Sequence, residues 1–542
     1  MAAWLFAVTD LEPRHNRRRF VLPAMPARSS DISRRRGASR SRDRRTGLAA
    51  SAGLLALGSL FTQAAQIIAL SVLARLVTKP ELATYQQLNL LYGLAAPLLL
   101  VGTPTALLYF VARARGADER RAWVLRAYIL LGTTGLLAAS AAVLFRHLLA
   151  DAFNNPSLAR AMIFYAPYLL CVFIAAATPP ALVASGAARY AAVLNAALGA
   201  FMLVALVTAA VIEPTGESLA LGLSASGVAL ATASVFAVSR TLGLDATDHE
   251  LGKGLRSLLG YGLPMTVVAL AGTIAFQFDR IVVGTSFSPH DFAIYALGAV
   301  EVPLFLLVGQ AVTNVLMPAL AQLWQNGDSA GMIALWHRSM RKMGVILLPS
   351  FVFLMILAED VIRVLFGPGY EESVVVFRIY LFLIPLRVAN WSIIPTAMGW
   401  TRFYAPGVIL LVANATIALA AVGPLGLPGP ALAAPIATAL AAFYYVWRLR
   451  PVLGIGLSGL VPFRPLATTL LVAVLASAPV LYIKQMPGGS ALRLVVAACA
   501  YSAVVVPALR LARQISDEDW ARVPRAVRHV LRPRAGRDAP AE

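Results

Sequence analysis

The chain has 542 residues, of which 59% are apolar and only 13% charged, and its mean hydropathy is +0.73. Soluble domains carry roughly 25% charged residues, so this chain lacks the charge to coat a water-facing surface. A soluble enzyme and an intrinsically disordered chain are both excluded, and a polytopic membrane protein is indicated. The net charge of +20 would suggest nucleic acid in a soluble protein, but here the positions of the arginines matter more than their number.

The N-terminal 48 residues hold twelve arginines against four acids, Asp10, Glu12, Asp31 and Asp43, set among Ser, Gly and Pro. They read as a disordered cytoplasmic tail held near anionic lipid, with no nucleic-acid partner. Met1–Val8 is too short for a secretory signal and lacks a basic segment before it. A start further downstream, for instance at Met25, stays open.

A spanning helix needs ~20 mostly apolar residues. Fourteen stretches qualify: 50–73, 88–111, 123–146, 161–184, 190–211, 218–239, 258–285, 292–319, 341–359, 374–397, 404–424, 428–447, 465–483 and 491–511. The expected fold is an all-α polytopic membrane protein of two pseudo-symmetric six-helix lobes plus two C-terminal helices. The first lobe covers 49–240, a cytoplasmic linker 241–257, the second lobe 258–450 and the two additional helices 451–512. Residues 513–542 form a cytoplasmic tail. Within it Ser516 and Asp519 resemble a capping box, and Trp520, Val523, Val527, Val530 and Leu531 share the apolar face of an interfacial helix.

Loops rich in Arg and Lys stay in the cytoplasm. Loop 2–3 carries Arg113, Arg115, Arg120 and Arg121; loop 6–7 carries Arg240, Lys253 and Arg256; loop 8–9 carries Arg338, Arg341 and Lys342; loop 12–13 carries Arg448, Arg450 and Arg464. Opposite loops such as 213–218, 286–291 and 423–430 have none. Both termini are therefore expected in the cytoplasm. No loop is long enough for a soluble domain, which disfavours a glycan polymerase or ligase needing an acid-bearing loop. No Walker A pattern is present, so ATP hydrolysis is not expected. Cys171 and Cys499 lie in apolar runs, and neither a disulfide framework nor a metal or cofactor site is expected.

An internal repeat is visible. Glu81-Leu-Ala-Thr-Tyr85 follows span 1, and Asp291-Phe-Ala-Ile-Tyr295 follows span 7. Val101-Gly102 is matched with Val308-Gly309, and Leu144-Phe145 with Leu365-Phe366. Six intervening spans keep the direction unchanged, so the repeat is parallel, about an axis along the membrane normal. Transporters place substrate between such halves.

Ala74-Arg75-Leu-Val-Thr78, Gly260-Tyr-Gly-Leu-Pro264, Asp279-Arg-Ile-Val-Val-Gly284 and Leu365-Phe-Gly-Pro-Gly-Tyr370, in that order, carry a family resemblance. Over roughly 48–450 the sequence resembles the oligosaccharide flippase, or polysaccharide biosynthesis protein, family. That family sits in the MOP superfamily of multidrug, oligosaccharidyl-lipid and polysaccharide exporters. The resemblance implies a fourteen-helix, two-lobed flippase. Its substrate would be a polyprenyl-diphosphate-linked oligosaccharide crossing the bacterial inner membrane, and glycan polymerases and glycosyltransferases would be its partners. Membrane lipids are the other expected partner.

Charges inside spans are costly and mark cavities or pairs. Asp279 and Arg280 lie in span 7, Glu301 in span 8, and Arg387 near the middle of span 10 with Arg378 towards its outer end. Amides add Gln63 and Gln66 in span 1, Gln277 in span 7, Gln310 and Asn314 in span 8, and Asn390 in span 10. Gln63/Gln66, Gln310/Asn314 and Arg387/Asn390 have the spacing of shared helix faces. Adjacent Asp279 and Arg280 cannot face each other. Arg280 could clamp span 7 to span 8 through Glu301, or touch substrate. A diphosphate needs a cationic fork in a low-dielectric cavity, which makes Arg387 the sharper candidate; pairing with Glu301 or snorkelling is the plainer reading. The expected substrate-binding set is Arg387, Arg280, Asn390, Gln63, Gln66, Gln310 and Asn314. Coupling to H+ or Na+ would fall to Asp279 or Glu301. Lipid II flippases carry several cations in the first spans; this chain has only Arg75, at an edge, which counts against lipid II. An ion-coupled multidrug or small-solute antiporter stays open, because Asp279 and Glu301 supply the carboxylates that cationic drugs require.

Overall fold

A computed structural model describes residues 58–243, 251–400 and 405–515. The basic N-terminal tail and the C-terminal interfacial helix expected around Trp520 lie outside the described residues. Among the described residues every regular element is helical. Hydrocarbon leaves no alternative for an open chain, because each unpaired backbone group there costs several kcal/mol.

The first lobe holds α1 (Gly58–Leu76), α2 (Lys79–Leu99), α3 (Thr103–Arg113), α4 (Ala117–Leu144), α5 (Arg146–Ala152), α6 (Pro156–Ala175), α7 (Thr178–Ala184), α8 (Ala188–Ile212) and α9 (Gly216–Thr241). The second holds α10 (Leu251–Ser286), α11 (Pro289–Gly298), α12 (Pro303–Gln325), α13 (Ser329–Ile356), α14 (Ala358–Phe366) and α15 (Ser373–Leu381). It continues with α16 (Leu383–Leu386), a 3-10 turn (Arg387–Ala389), α17 (Ile393–Ala397), α18 (Ala405–Leu425), α19 (Pro428–Ala431) and α20 (Ala433–Leu453). The chain ends in α21 (Leu457–Leu460), α22 (Phe463–Leu475), α23 (Ala478–Lys484) and α24 (Ser490–Leu511).

Among the described residues eleven helices are long and apolar enough to cross a membrane, or up to thirteen if each of two bent pairs is one span. The count therefore falls short of the fourteen continuous spans expected. The bent pair α2 and α3 turns by 43° at Val101 and Gly102, both of positive φ. The expected span 292–319 is two helices, α11 and α12, separated by Ala299–Val302. Large apolar side chains such as Leu137, Val211 and Leu511 point outward, as a multi-pass membrane protein presents them to lipid tails.

The repeat is built into the backbone. Thr78 caps α2 with φ −69° and ψ 158°, and Ser288 caps α11 with φ −68° and ψ 158°. Seven residues on, Tyr85 and Tyr295 are both buried. A short helix follows the third long segment of each lobe, α5 in one and α14 in the other. The next segment then ties back to the residue before the repeat tyrosine. Asn155 donates to the Thr84 hydroxyl at 2.9 Å, and the Ser373 hydroxyl donates to the Ile294 carbonyl at 2.7 Å.

The other two sequence matches do not correspond. Val101-Gly102 breaks a helix, whereas Val308-Gly309 lies inside α12. Leu144-Phe145 precedes a short helix, whereas Leu365-Phe366 ends one. Two-residue matches follow local composition, while the cap and buried tyrosine follow a packing demand.

The lobes share one buried core, which runs from Leu73 and Tyr85 to Phe292, Tyr295 and Phe366. Gly102 and Gly262 let α3 and α10 touch backbone to backbone: a Cβ on Gly262 would lie 1.8 Å from the Val101 carbonyl oxygen. Small residues permit such approach where lipid supplies no hydrophobic drive between helices. The last two long segments attach through α14. There Arg493 grips buried Asp360 at 2.6 Å, and Lys484 pairs with Glu359 at 3.2 Å.

Candidate functional site

The polar residues of the second lobe converge where α11 gives way to α12. Asp279 on α10 is fully buried. Its Oδ2 accepts the hydroxyls of Tyr295 from α11, at 2.5 Å, and of Tyr380 from α15. Its Oδ1 is buried with no partner among the described residues. Arg280 points away, as adjacency on a helix dictates, and its Nη2 donates to the Ala299 carbonyl at 2.8 Å. That carbonyl belongs to the residue closing α11, where carbonyls lack intrahelical partners. The clamp between spans 7 and 8 thus exists, but through a backbone acceptor and not through Glu301.

Glu301 is taken by Arg387. A single nitrogen, Nη2, donates to both carboxylate oxygens at 2.8 and 2.9 Å, and each side chain is about a quarter exposed, 25% and 27%. Among the described residues Nε and Nη1 of Arg387 make no hydrogen bond. Asn390 donates to the Thr313 hydroxyl on α12. The expected shared face of Arg387 and Asn390 does not form, because the helix has become a 3-10 turn and Asn390 is left-handed, with φ 41°. Helix spacing rules need a continuous helix. Arg387 instead reaches Glu301 in the break before α12, and Asn390 reaches α12 itself.

Gln310 and Asn314 lie one turn apart on α12 and are both exposed. Gln63 is half-buried and Gln66 exposed on α1, in the other lobe. None of these four amides makes a hydrogen bond among the described residues. Glu301, Val302, Phe305, Phe377, Tyr380 and Arg387 line a cavity of about 20 Å³, room for about one water.

The span expected at 123–146 would put Arg126 in its first turn. In fact α4 begins at Ala117, and Arg126 is buried. Its guanidinium lies over the Trp123 ring, 4.6 Å from the centroid. Gly254 on α10 leaves the room it occupies, since a Cβ there would lie 2.3 Å from the Arg126 Nε. Phe110 stacks on Trp123 and Tyr261 on Tyr109, with Arg113 over the Tyr109 ring. This cluster joins the lobes at the arginine-rich end. Trp391 donates to the Leu386 carbonyl and packs edge-on against Trp336.

The family described as polysaccharide biosynthesis protein matches residues 72–375, more than half of the chain. Comparison with curated proteins yields no match. Among solved structures, the lipid II flippase MurJ in an inward closed conformation is similar with a TM-score of 0.67. It shares 13% identity over 84% of this chain and 99% of that one. An inward-facing multidrug resistance transporter of the MATE family, in the MOP superfamily, is similar with a TM-score of 0.62 and 16% identity. The match covers 73% of this chain and 95% of that one. A MOP superfamily transporter from Pyrococcus furiosus, described by the reverse polarity of its binding pocket, has a TM-score of 0.50 and 16% identity, covering 75% and 96%. At these identities the likeness is one of fold.

Proposed function

The chain belongs to the polysaccharide biosynthesis protein family, and from that premise we propose that it is a flippase for a polyprenyl-diphosphate-linked oligosaccharide. The two lobes alternate in exposing the space between them to the two sides of a bacterial inner membrane. The basic loops, and with them both termini, stay in the cytoplasm. The sugar-diphosphate head rides between the lobes while the polyprenyl tail stays in lipid. Glycan polymerases and glycosyltransferases act before and after it.

The observation that carries this reading is the state of Arg387. Glu301 orients it through one nitrogen, and the rest of its donor fork is unclaimed among the described residues. A guanidinium held in that way offers charge and paired donors to a phosphate. The charge balance away from the span ends agrees: Arg126, Arg280 and Arg387 stand against Asp279 and Glu301. Both carboxylates are already engaged, which suits an anionic cargo better than a cationic drug. Gln63, Gln66, Gln310 and Asn314 supply uncommitted amides for sugar hydroxyls. Arg280 and Asn390 shape the site while holding α11 and α12 in place. Asp279 and Glu301 are the groups through which an ion gradient, H+ or Na+, would act.

Thermal stability of the purified protein tests the reading. A ligand that binds only the folded state stabilises by about 2.7 kcal/mol at a hundred times its Kd. A polyprenyl-diphosphate oligosaccharide is expected to raise the melting temperature, with polyprenyl phosphate weaker, and Arg387→Met is expected to abolish the rise. Stabilisation by cationic drugs alone would replace the flippase by an antiporter working through Asp279 and Glu301.

A further inference from the structure

Two of the sequence motifs, Ala74–Thr78 and Leu365–Tyr370, belong to different lobes and are each other's partner. Arg75 ends α1. Its Nη1 donates to the Leu365 carbonyl at 2.9 Å and its Nη2 to the Val364 carbonyl. The Ser71 hydroxyl, one turn earlier, donates to the Leu365 carbonyl as well, and Nη1 also donates to the Ser71 carbonyl at 2.8 Å and hydroxyl at 2.7 Å. The acceptors are the closing carbonyls of α14, which lack intrahelical partners and form the negative end of that helix. Gly367, with φ 91°, turns the chain away beyond them. Lys79 sits over the Tyr370 ring, 5.3 Å from its centroid. Beside this contact Asn154 donates to the Thr285 carbonyl at 3.0 Å, and Phe153 fills the space left by Gly284.

All of these bridges lie at the arginine-poor end of the bundle. At the other end the lobes meet through Gly102, Gly262 and the ring stack of Tyr109, Phe110 and Tyr261. The two contacts differ in kind. One packs backbone and rings and buries the Arg126 guanidinium over Trp123 in the space left by Gly254. The other sets the Arg75 guanidinium, the Ser71 hydroxyl and the Asn154 amide on backbone carbonyls, and Arg75 is solvent-exposed. Water can take over each donor and acceptor when an exposed contact parts, so rupture strands no buried charge. That is the chemistry of a joint made to open and close.

We infer that Arg75 is the latch of the outer gate. Its bonds to Val364 and Leu365 hold the arginine-poor mouth shut, and they break when the space between the lobes opens to that side. The transporter reading above supplies only which side is outward; the latch and its test need no substrate.

The test uses the full-length protein in nanodiscs with Cys171→Ala and Cys499→Ala. One spin-label pair at Glu213→Cys and Glu372→Cys reports the outer mouth. A second at Arg115→Cys and Asn326→Cys reports the inner one. Arg75→Ala removes two charge-assisted hydrogen bonds and is expected to raise the ratio of outer-open to outer-closed molecules by about tenfold or more. Arg75→Lys, a point charge that cannot bridge both carbonyls, is expected to fall between. An unchanged outer distance distribution in a folded, monodisperse Arg75→Ala protein overturns the latch. Should that variant not fold, Ser71→Ala decides: a smaller shift in the same direction supports the latch, and none removes it. Distances that shift while no diphosphate sugar binds would sink the substrate reading and leave the latch standing.

Discussion

Asp279 and Tyr295 are hydrogen-bonded in the buried heart of the second lobe, and Tyr380 donates to the same carboxylate oxygen. The tyrosine that marks the sequence repeat thus holds the acid of the Asp279–Gly284 motif. Three helices, α10, α11 and α15, are fixed against one another by one oxygen.

Tyr295→Phe is expected to cost about 1–3 kcal/mol of stability, the penalty for leaving a buried acceptor short of a donor. Tyr380→Phe should cost a similar amount. The double variant should depart from additivity, because the two hydroxyls share an acceptor. Thermal or denaturant unfolding of the solubilised protein measures all three. Additive losses would mean that the tyrosines act independently.

Arg387 and Glu301 can be separated into structural and cargo roles. Breaking a fully buried pair costs 3–5 kcal/mol; with each partner about a quarter exposed, Arg387→Met or Glu301→Gln alone should cost nearer ~1–3 kcal/mol. The double variant Arg387→Met/Glu301→Gln should recover most of that stability. Glycan export should stay lost in the double variant. Export restored together with stability would reduce the pair to a strut.

Gly260 and Gly262, two residues apart on α10, should answer oppositely to alanine. Nothing lies within 4 Å of a Cβ at Gly260, whereas one at Gly262 meets the Val101 carbonyl at 1.8 Å. Gly260→Ala should be neutral or stabilising by up to ~1 kcal/mol, the difference in helix preference. Gly262→Ala should destabilise by about 1–3 kcal/mol as overpacking does. Equal effects would mean that α3 and α10 are not in backbone contact.

Arg493→Ala should leave Asp360, which is only 3% exposed, as an unpaired buried charge, at a cost of about 3–5 kcal/mol. The last two long segments should loosen first. Limited proteolysis between α22 and α24 would show it, and a cleavage pattern like that of the unaltered protein would count against the pair as the anchor.

Much of this was legible in the sequence, and the failures have causes. Glu81–Tyr85 and Asp291–Tyr295 announced the repeat because capping and a buried ring are local demands that recur wherever the same joint is built. Val308-Gly309 failed because a two-residue match carries no such demand. Arg387 and Asn390 were placed on one face by a rule for continuous helix, and the left-handed residue at 390 removed its premise. Arg126 looked terminal because its helix begins earlier, at Ala117, than hydropathy suggests. Gly254 and the nearby rings could have marked it, had their partner lobe been known.

The sequence by itself determined that the chain crosses a membrane in helices, in two related lobes, because hydropathy, caps and breaks act residue by residue along the chain. Only the tertiary structure decided who holds whom. Glu301 is claimed by Arg387 from 86 residues away, Asp279 by Tyr380 from 101, and the Leu365 carbonyl by Arg75 from 290. Each of those bonds satisfies a donor or acceptor that hydrocarbon cannot solvate or that a helix end leaves open, and which distant group does so is set by how the helices pack.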